Sequence, residues 1–238
     1  MIKKFLVLGR RSKDEGEKPF WISFADLMTA LMVMFLLVMS VALLAVTNDI
    51  SQADRNKAVR EQEIERFMQK IGQAAEKHPG IIVDKSRAVI DFGDRARFET
   101  GSSQLSNEQA QYLSQFVSEM LAIAQDEQGS KWLKRIVAEG YADQRGDYLM
   151  NLNLSLQRSQ RVLCALLAPP QRQAFVLSPE EKERVRDYFL VGGYSFNSAK
   201  KSLEESRRIE LRLEFYGLDE ERAALNEIAR GNFGSCRI

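Results

Sequence analysis

Hydrophobic and polar positions divide this chain into two unlike stretches. From Phe20 to Val46 the residues are apolar or small, with Asp26 as the only charge. A helix needs about 20 such residues to cross the hydrocarbon core of a bilayer. The run therefore predicts a transmembrane helix over 20–46, long enough to tilt. It exceeds the roughly 7–15 residues of a signal-peptide core, and 40–47 offers no clear AxA-type cleavage site, so retention in the mature protein is expected. After Val46 polar positions return. Ile64, Phe67, Met68, Ile71 and Ala75 follow helical spacing, so the linker 47–80 is expected to contain an amphipathic helix ending at His78-Pro79-Gly80.

From Ile81 the periodicity alternates between strand and helix, which predicts one α/β domain over 81–216 and a tail over 217–238. Ile81–Val83 and Ala88–Phe92 read as short strands. Ser106 with Gln109 forms a capping-box pattern ahead of an apolar face at Leu113, Phe116, Val117 and Met120. Arg135–Glu139 reads as a strand leading into a turn-rich segment. Leu154–Leu167 reads as a helix stopped by Pro169-Pro170. Ser178-Pro179 opens another helix, with Pro at its first position. Ile209, Leu211, Leu213 and Phe215 alternate with charged residues, as in a strand covered on one face.

Charge orients this arrangement. Lys3, Lys4, Arg10, Arg11, Lys13 and Lys18 precede the apolar run, whereas the basic residues just after it are interspersed with acids. The positive-inside rule places the tail 1–19 in the cytoplasm and everything beyond Val46 outside, in a bacterium the periplasm. A formal net charge of +1 implies no polyanionic partner, so no nucleic acid is expected.

The chemistry available is narrow. No phosphate loop, nucleophile elbow or HExxH pattern occurs, and the chain is read as a non-enzyme. With one histidine and two cysteines, no cluster has metal-ligand spacing, and no cofactor is expected. His78 reads as a solvated loop residue. Cys164 and Cys236 would both lie in an oxidising compartment. An intrachain disulfide is favoured over intermolecular bonds or a buried thiol beside a loose tail.

Asp26 carries the most information. A charge at the centre of a membrane helix costs about 2.5–3.5 kcal/mol on insertion scales. No basic residue in the run can offset it, so Asp26 requires a partner from outside, a water cavity or a proton. Ser23 and Thr29, three residues to either side, extend a polar stripe on its face. A snorkelling interfacial acid is the plain alternative, but intramembrane acids usually mark ion or proton pathways.

The run from Pro19 to Met39, with its Ser23-Phe-Ala-Asp26-Leu-Met-Thr-Ala30 core, resembles the membrane helix of MotB-type stator subunits. That resemblance implies that Asp26 carries a translocated ion, with H⁺ the first expectation and Na⁺ the alternative. It also offers a second role for the linker, as a plug that closes the channel until the complex is anchored. Glu139-Gly-Tyr-Ala-Asp143 followed by Asn151, Leu154 and Arg158, closing with Ser206-Arg-Arg-Ile-Glu210, resembles the OmpA-like peptidoglycan-binding signature over roughly residues 87–215. The resemblance implies a site for diaminopimelate built from Asp143, Asn151, Leu154 and Arg158. An acid for the ammonium and a planar guanidinium for the carboxylate suit such a ligand.

Where flagellar stators have a G-Y-G-E-x-x-P block before the last strand, this chain reads Gly192-Gly-Tyr-Ser-Phe-Asn-Ser-Ala-Lys200. That segment, with Glu17–Ser23, Leu154–Ser159 and Glu210–Leu218, is similar to the B subunits of Zorya anti-phage defence systems. The similarity implies a homodimer inside a pentamer of a MotA/ZorA-like membrane subunit, with peptidoglycan as the further partner. Three readings stay open: a defence-linked ion-driven motor subunit, a flagellar stator subunit, and a passive cell-wall anchor.

Overall fold

A computed structural model describes residues 20–168, 174–220, 231 and 233–236. The expected cytoplasmic tail 1–19, the Pro169-Pro170 stop and part of the C-terminal tail lie outside the described residues. The chain forms two units, residues 1–55 and 56–238.

Helix α1 runs unbroken from Phe20 to Glu76. Between Val46 and Gly72 the sequence contains no Pro or Gly, so nothing interrupts the i→i−4 ladder at the expected membrane boundary. In the first unit its side chains from Phe24 to Ile50 are exposed, including Leu31, Phe35, Leu37 and Leu44. Among the described residues, this helix is long and apolar enough to cross a membrane, with a mean hydropathy of 2.7 over its most apolar stretch. Such a face is tolerable only in lipid or against other helices.

In the second unit, the C-terminal part of α1 is a core element. Phe67 and Ile71 are fully buried and Met68 nearly so, in one cluster with Leu113, Phe116 and Ile136. The apolar face expected of the linker helix thus packs, over its last turns, into the core of the domain that follows. The compact unit begins well before residue 80.

The sheet contains β1 (Ile82–Asp84), β2 (Val89–Asp91), β3 (Leu133–Gly140), β4 (Phe189–Gly193) and β5 (Ile209–Phe215), in the order β1-β2-β5-β3-β4. The pairing of β3 with β4 is parallel and the other pairings are antiparallel. The fold is thus a long N-terminal apolar helix followed by a mixed α/β domain. One face of the sheet carries Ile90, Ile136, Ala138, Leu211 and Leu213 into the core. α2 (Asn107–Ile123), α4 (Tyr148–Leu167) and α5 (Pro179–Tyr188) supply residues to the same core, and the domain also contains the short helices α3 (Glu127–Trp132) and α6 (Leu203–Ser206).

Local chemistry explains the helix starts. Ser106 with Gln109, and Ser178 with Glu181, form reciprocal capping boxes. α4 begins at Tyr148 rather than near Leu154, because the Asp147 side chain accepts from the Met150 amide and caps the helix a turn and a half earlier. The close seat of α4 on the sheet depends on glycine. Gly140 and Gly193 are paired across β3 and β4. A Cβ on Gly140 would lie 1.9 Å from the Ser155 carbonyl oxygen, and one on Gly193 would lie 2.7 Å from the Leu156 nitrogen.

His78 corrects the expectation of a solvated loop residue. Its side chain is 11% exposed. Its Nε2 lies 2.9 Å from Glu119 Oε1, and its ring packs edge-on against Tyr112 and Phe116. Position before a proline gave no hint of this, since the partners come from α2.

A disulfide joins Cys164 on α4 to Cys236, with Cα atoms 5.7 Å apart and 72 residues of separation. Closing a loop of that size is worth about 4 kcal/mol in the chain-entropy model. Non-reducing peptide mapping of the membrane-extracted protein should therefore recover the two cysteines in one cross-linked species. Cys236→Ser should lower the thermal midpoint; recovery of two freely alkylated thiols from the wild type would contradict the bridge.

Candidate functional site

In the first unit the candidate is Asp26. It occupies an exposed position on α1, with Phe24, Leu27 and Met28 exposed around it. The Thr29 hydroxyl donates to the Asp26 backbone carbonyl at 2.8 Å, so it satisfies itself within the helix and leaves the carboxylate to other partners. The Ser23 side chain, the other half of the expected stripe, lies outside the described residues.

In the second unit, three of the expected residues, Asp143, Asn151 and Arg158, meet beyond the C-terminal end of β3. The chain leaves Gly140, passes through Asp143 and turns at Gly146, whose φ of +91° is the left-handed conformation that glycine adopts freely. It then enters α4, which carries Asn151 and Arg158 inward. Asn151 is 2% exposed and donates from Nδ2 to the Arg145 carbonyl at 2.8 Å, pinning the turn. Leu154 is half-buried on the same helix.

Arg158 is completely buried. Its nitrogens donate to three backbone carbonyls: Nε to Ser102 at 2.9 Å, Nη1 to Tyr141 at 2.7 Å and Nη2 to Glu99 at 3.1 Å. Its guanidinium also lies 4.9 Å from the Phe98 ring centroid. Burial pulls its pKa down to about 10, against the opposing pull of the Asp143 charge. Arg158 thus fixes the segment 98–102 against the end of β3 while supplying positive potential beneath Asp143.

The residues directly on Asp143 are others. Arg145 donates from its amide and Nε to Oδ1 at 3.1 and 3.2 Å, and from Nη2 to Oδ2 at 2.7 Å. Arg207 Nη1 reaches Oδ2 at 3.2 Å. These bonds, those from Arg145 foremost, outweigh burial and hold the Asp143 carboxyl at about 2. Arg207 also donates to the Phe98 carbonyl at 2.8 Å, adding a second arginine to those that hold the 98–102 segment. Sequence reasoning missed both roles. Arg207 stood inside the quoted Ser-Arg-Arg-Ile-Glu block, whereas nothing in spacing marked Arg145.

A second buried polar cluster lies on the outer face of the sheet. Burial raises the pKa of Glu139, but bidentate donation from Arg212 (2.7 and 3.0 Å) and a bond from the Tyr141 hydroxyl (2.8 Å) bring it below the usual carboxylate range. Tyr141 in turn lies beneath the Arg208 guanidinium, 4.0 Å away. This network braces the strand that delivers Asp143.

A lone acid on one long apolar helix, joined to an α/β domain with a buried acid–arginine cluster, defines a class by its architecture: an α/β domain carried on a helix long and apolar enough to cross a membrane. Residues 9–48 match the family described as the membrane MotB of the proton-channel complex MotA/MotB. The chain is 44% identical over 223 residues to the Zorya protein ZorB of Escherichia coli O139:H28 (strain E24377A / ETEC), covering 92% of this chain and 89% of that protein. The chain belongs to the ZorB family. Among solved structures, the periplasmic domain of Helicobacter pylori MotB aligns with 55% of this chain and 78% of that one, at 13% identity and a TM-score of 0.38. The OmpA-like domain of FopA1 from Francisella tularensis subsp. tularensis SCHU S4 aligns with 54% of this chain and 75% of that one, at 14% identity and a TM-score of 0.34.

Proposed function

We propose that this chain is the wall-anchored subunit of an ion-driven rotary complex in the bacterial inner membrane, acting in Zorya anti-phage defence. Two copies sit within five copies of a MotA/ZorA-like membrane subunit. Each α1 crosses the membrane with its N-terminus in the cytoplasm. Asp26 takes up and releases the ion, a proton, and the periplasmic domain holds peptidoglycan through Asp143, Asn151, Leu154 and Arg158.

The observation that carries this reading is the isolation of Asp26. It is the only ionisable group in the apolar run, whose side chains from Phe24 on are exposed, so its charge must be met by an outside partner, a water cavity or a proton. A passive anchor would need no such residue. The acid–arginine cluster supports attachment to an amino-acid head group, and the 44% identity to ZorB supports the defence assignment over the flagellar one.

The test pairs two assays. Cells given the complete defence system with this chain should resist phage plating. The same chain with its partner membrane subunit should fail to restore swimming to cells stripped of their own stator. Restored swimming without phage resistance would move the assignment to the flagellar reading.

A further inference from the structure

The three arginines near Asp143 differ in how firmly they are built in. Arg158 is fully buried, and the Arg207 side chain is 11% exposed and anchored to the Phe98 carbonyl. The Arg145 side chain is 51% exposed. Among the described residues, its guanidinium has one further bond apart from Asp143, from Nη2 to the Thr100 hydroxyl at 2.9 Å. Only Arg145 of the three has its side chain half in solvent, so Arg145 is the cation that can be moved. It nevertheless occupies both carboxylate oxygens, the positions an incoming ammonium would need.

We propose that Arg145 is a tethered occupant of the ammonium subsite at Asp143, and that it makes this site select zwitterionic amino-acid head groups over simple amines. The proposal rests on the wall-binding reading above. A ligand ammonium reaches Asp143 only by displacing the Arg145 guanidinium, which stays close because the Arg145 backbone amide is itself bonded to Asp143. A ligand that also carries a carboxylate gives the displaced guanidinium a new partner, in the bidentate geometry arginine favours. A bare amine gives it none. It would crowd a further cation beside Arg145, Arg158 and Arg207, with Asp143 as the carboxylate they share. Arg145 thus serves as a specificity-determining residue.

The test uses the full chain in detergent, titrated calorimetrically with meso-diaminopimelic acid and with cadaverine, which has a similar carbon spine and two ammonium groups but no carboxylate. Wild type should bind meso-diaminopimelic acid and discriminate against cadaverine. In Arg145→Gln that preference should shrink by about tenfold, the size of one charge-assisted contact. As an independent check, the Asp143 carboxyl should titrate higher in Arg145→Gln, because its largest stabilising contact is gone. An unchanged preference in a variant that still binds meso-diaminopimelic acid would overturn the role given to Arg145 alone. Failure of the wild type to bind either ligand would remove the wall-binding reading and that role with it.

Discussion

Asp26→Asn is expected to return phage plating to the level of cells lacking the system, while the protein still inserts, accumulates and assembles. The amide matches the carboxylate in size and avoids the cost of about 2.5–3.5 kcal/mol that a charge carries in the bilayer, so insertion is no harder. What it loses is the ability to alternate between a charged and a neutralised state. Each proton crossing about 100 mV releases about 2.3 kcal/mol, which is the drive for a rotation step. With no second ionisable group in the run, the loss should be complete rather than graded. Asp26→Glu, which keeps the carboxyl on a longer stem, should retain part of the protection. Full protection by Asp26→Asn, with the variant present at wild-type levels in the membrane, would leave the passive-anchor reading standing.

Arg158→Ala should produce the largest effect in the second unit, acting on stability and binding together. The substitution strips the Ser102, Tyr141 and Glu99 carbonyls of their donor and leaves a cavity where a fully buried side chain stood. Unsatisfied buried groups cost about 1–3 kcal/mol each, with partial relaxation, so a net loss of about 3–5 kcal/mol is expected. Arg158→Lys should rescue little, because one ammonium cannot span three carbonyls that a planar fork reaches. Thermal unfolding of the purified chain measures the first effect and retention on isolated sacculi the second. Asp143→Asn provides the contrast: binding should fall with only a modest change in stability. A melting curve for Arg158→Ala matching the wild type would refute the role assigned to this arginine.

Much of the fold was legible because its signals are local. Ser106 with Gln109 and Ser178 with Glu181 announce their helices within four residues, and the structure contains both capping boxes. The alternation from Ile209 to Phe215 marks β5 because one face is apolar and the other charged, although the charged face is also buried at Glu210. β4 escaped notice because Phe189-Leu-Val-Gly-Gly193 has no alternation; it is an edge strand in which Leu190 and Val191 are both exposed. The start of α4 was misplaced because Asn151 and Asn153 obscure the apolar period, while the cap that fixes the start is Asp147.

The site was legible as an inventory more than as a geometry. Of the four residues that the spacing selected, Asp143, Asn151 and Arg158 lie about the turn between β3 and α4, while Leu154 is half-buried on α4. The spacing did not reveal which groups touch. The partners of Arg158 are backbone carbonyls, which any residue supplies, so no sequence pattern could name Ser102, Tyr141 or Glu99. Arg207 reaches Asp143 across 64 positions. The burial of His78 against Glu119 is likewise a tertiary contact that no local motif encodes.

The central claim is that ions pass through this complex by way of Asp26. Its most direct test is cytoplasmic pH, followed with a fluorescent reporter during phage challenge, in cells carrying the complete system with either the wild-type chain or Asp26→Asn. The account predicts acidification with the wild type and a flat trace with Asp26→Asn. Equal acidification in the two strains would contradict it.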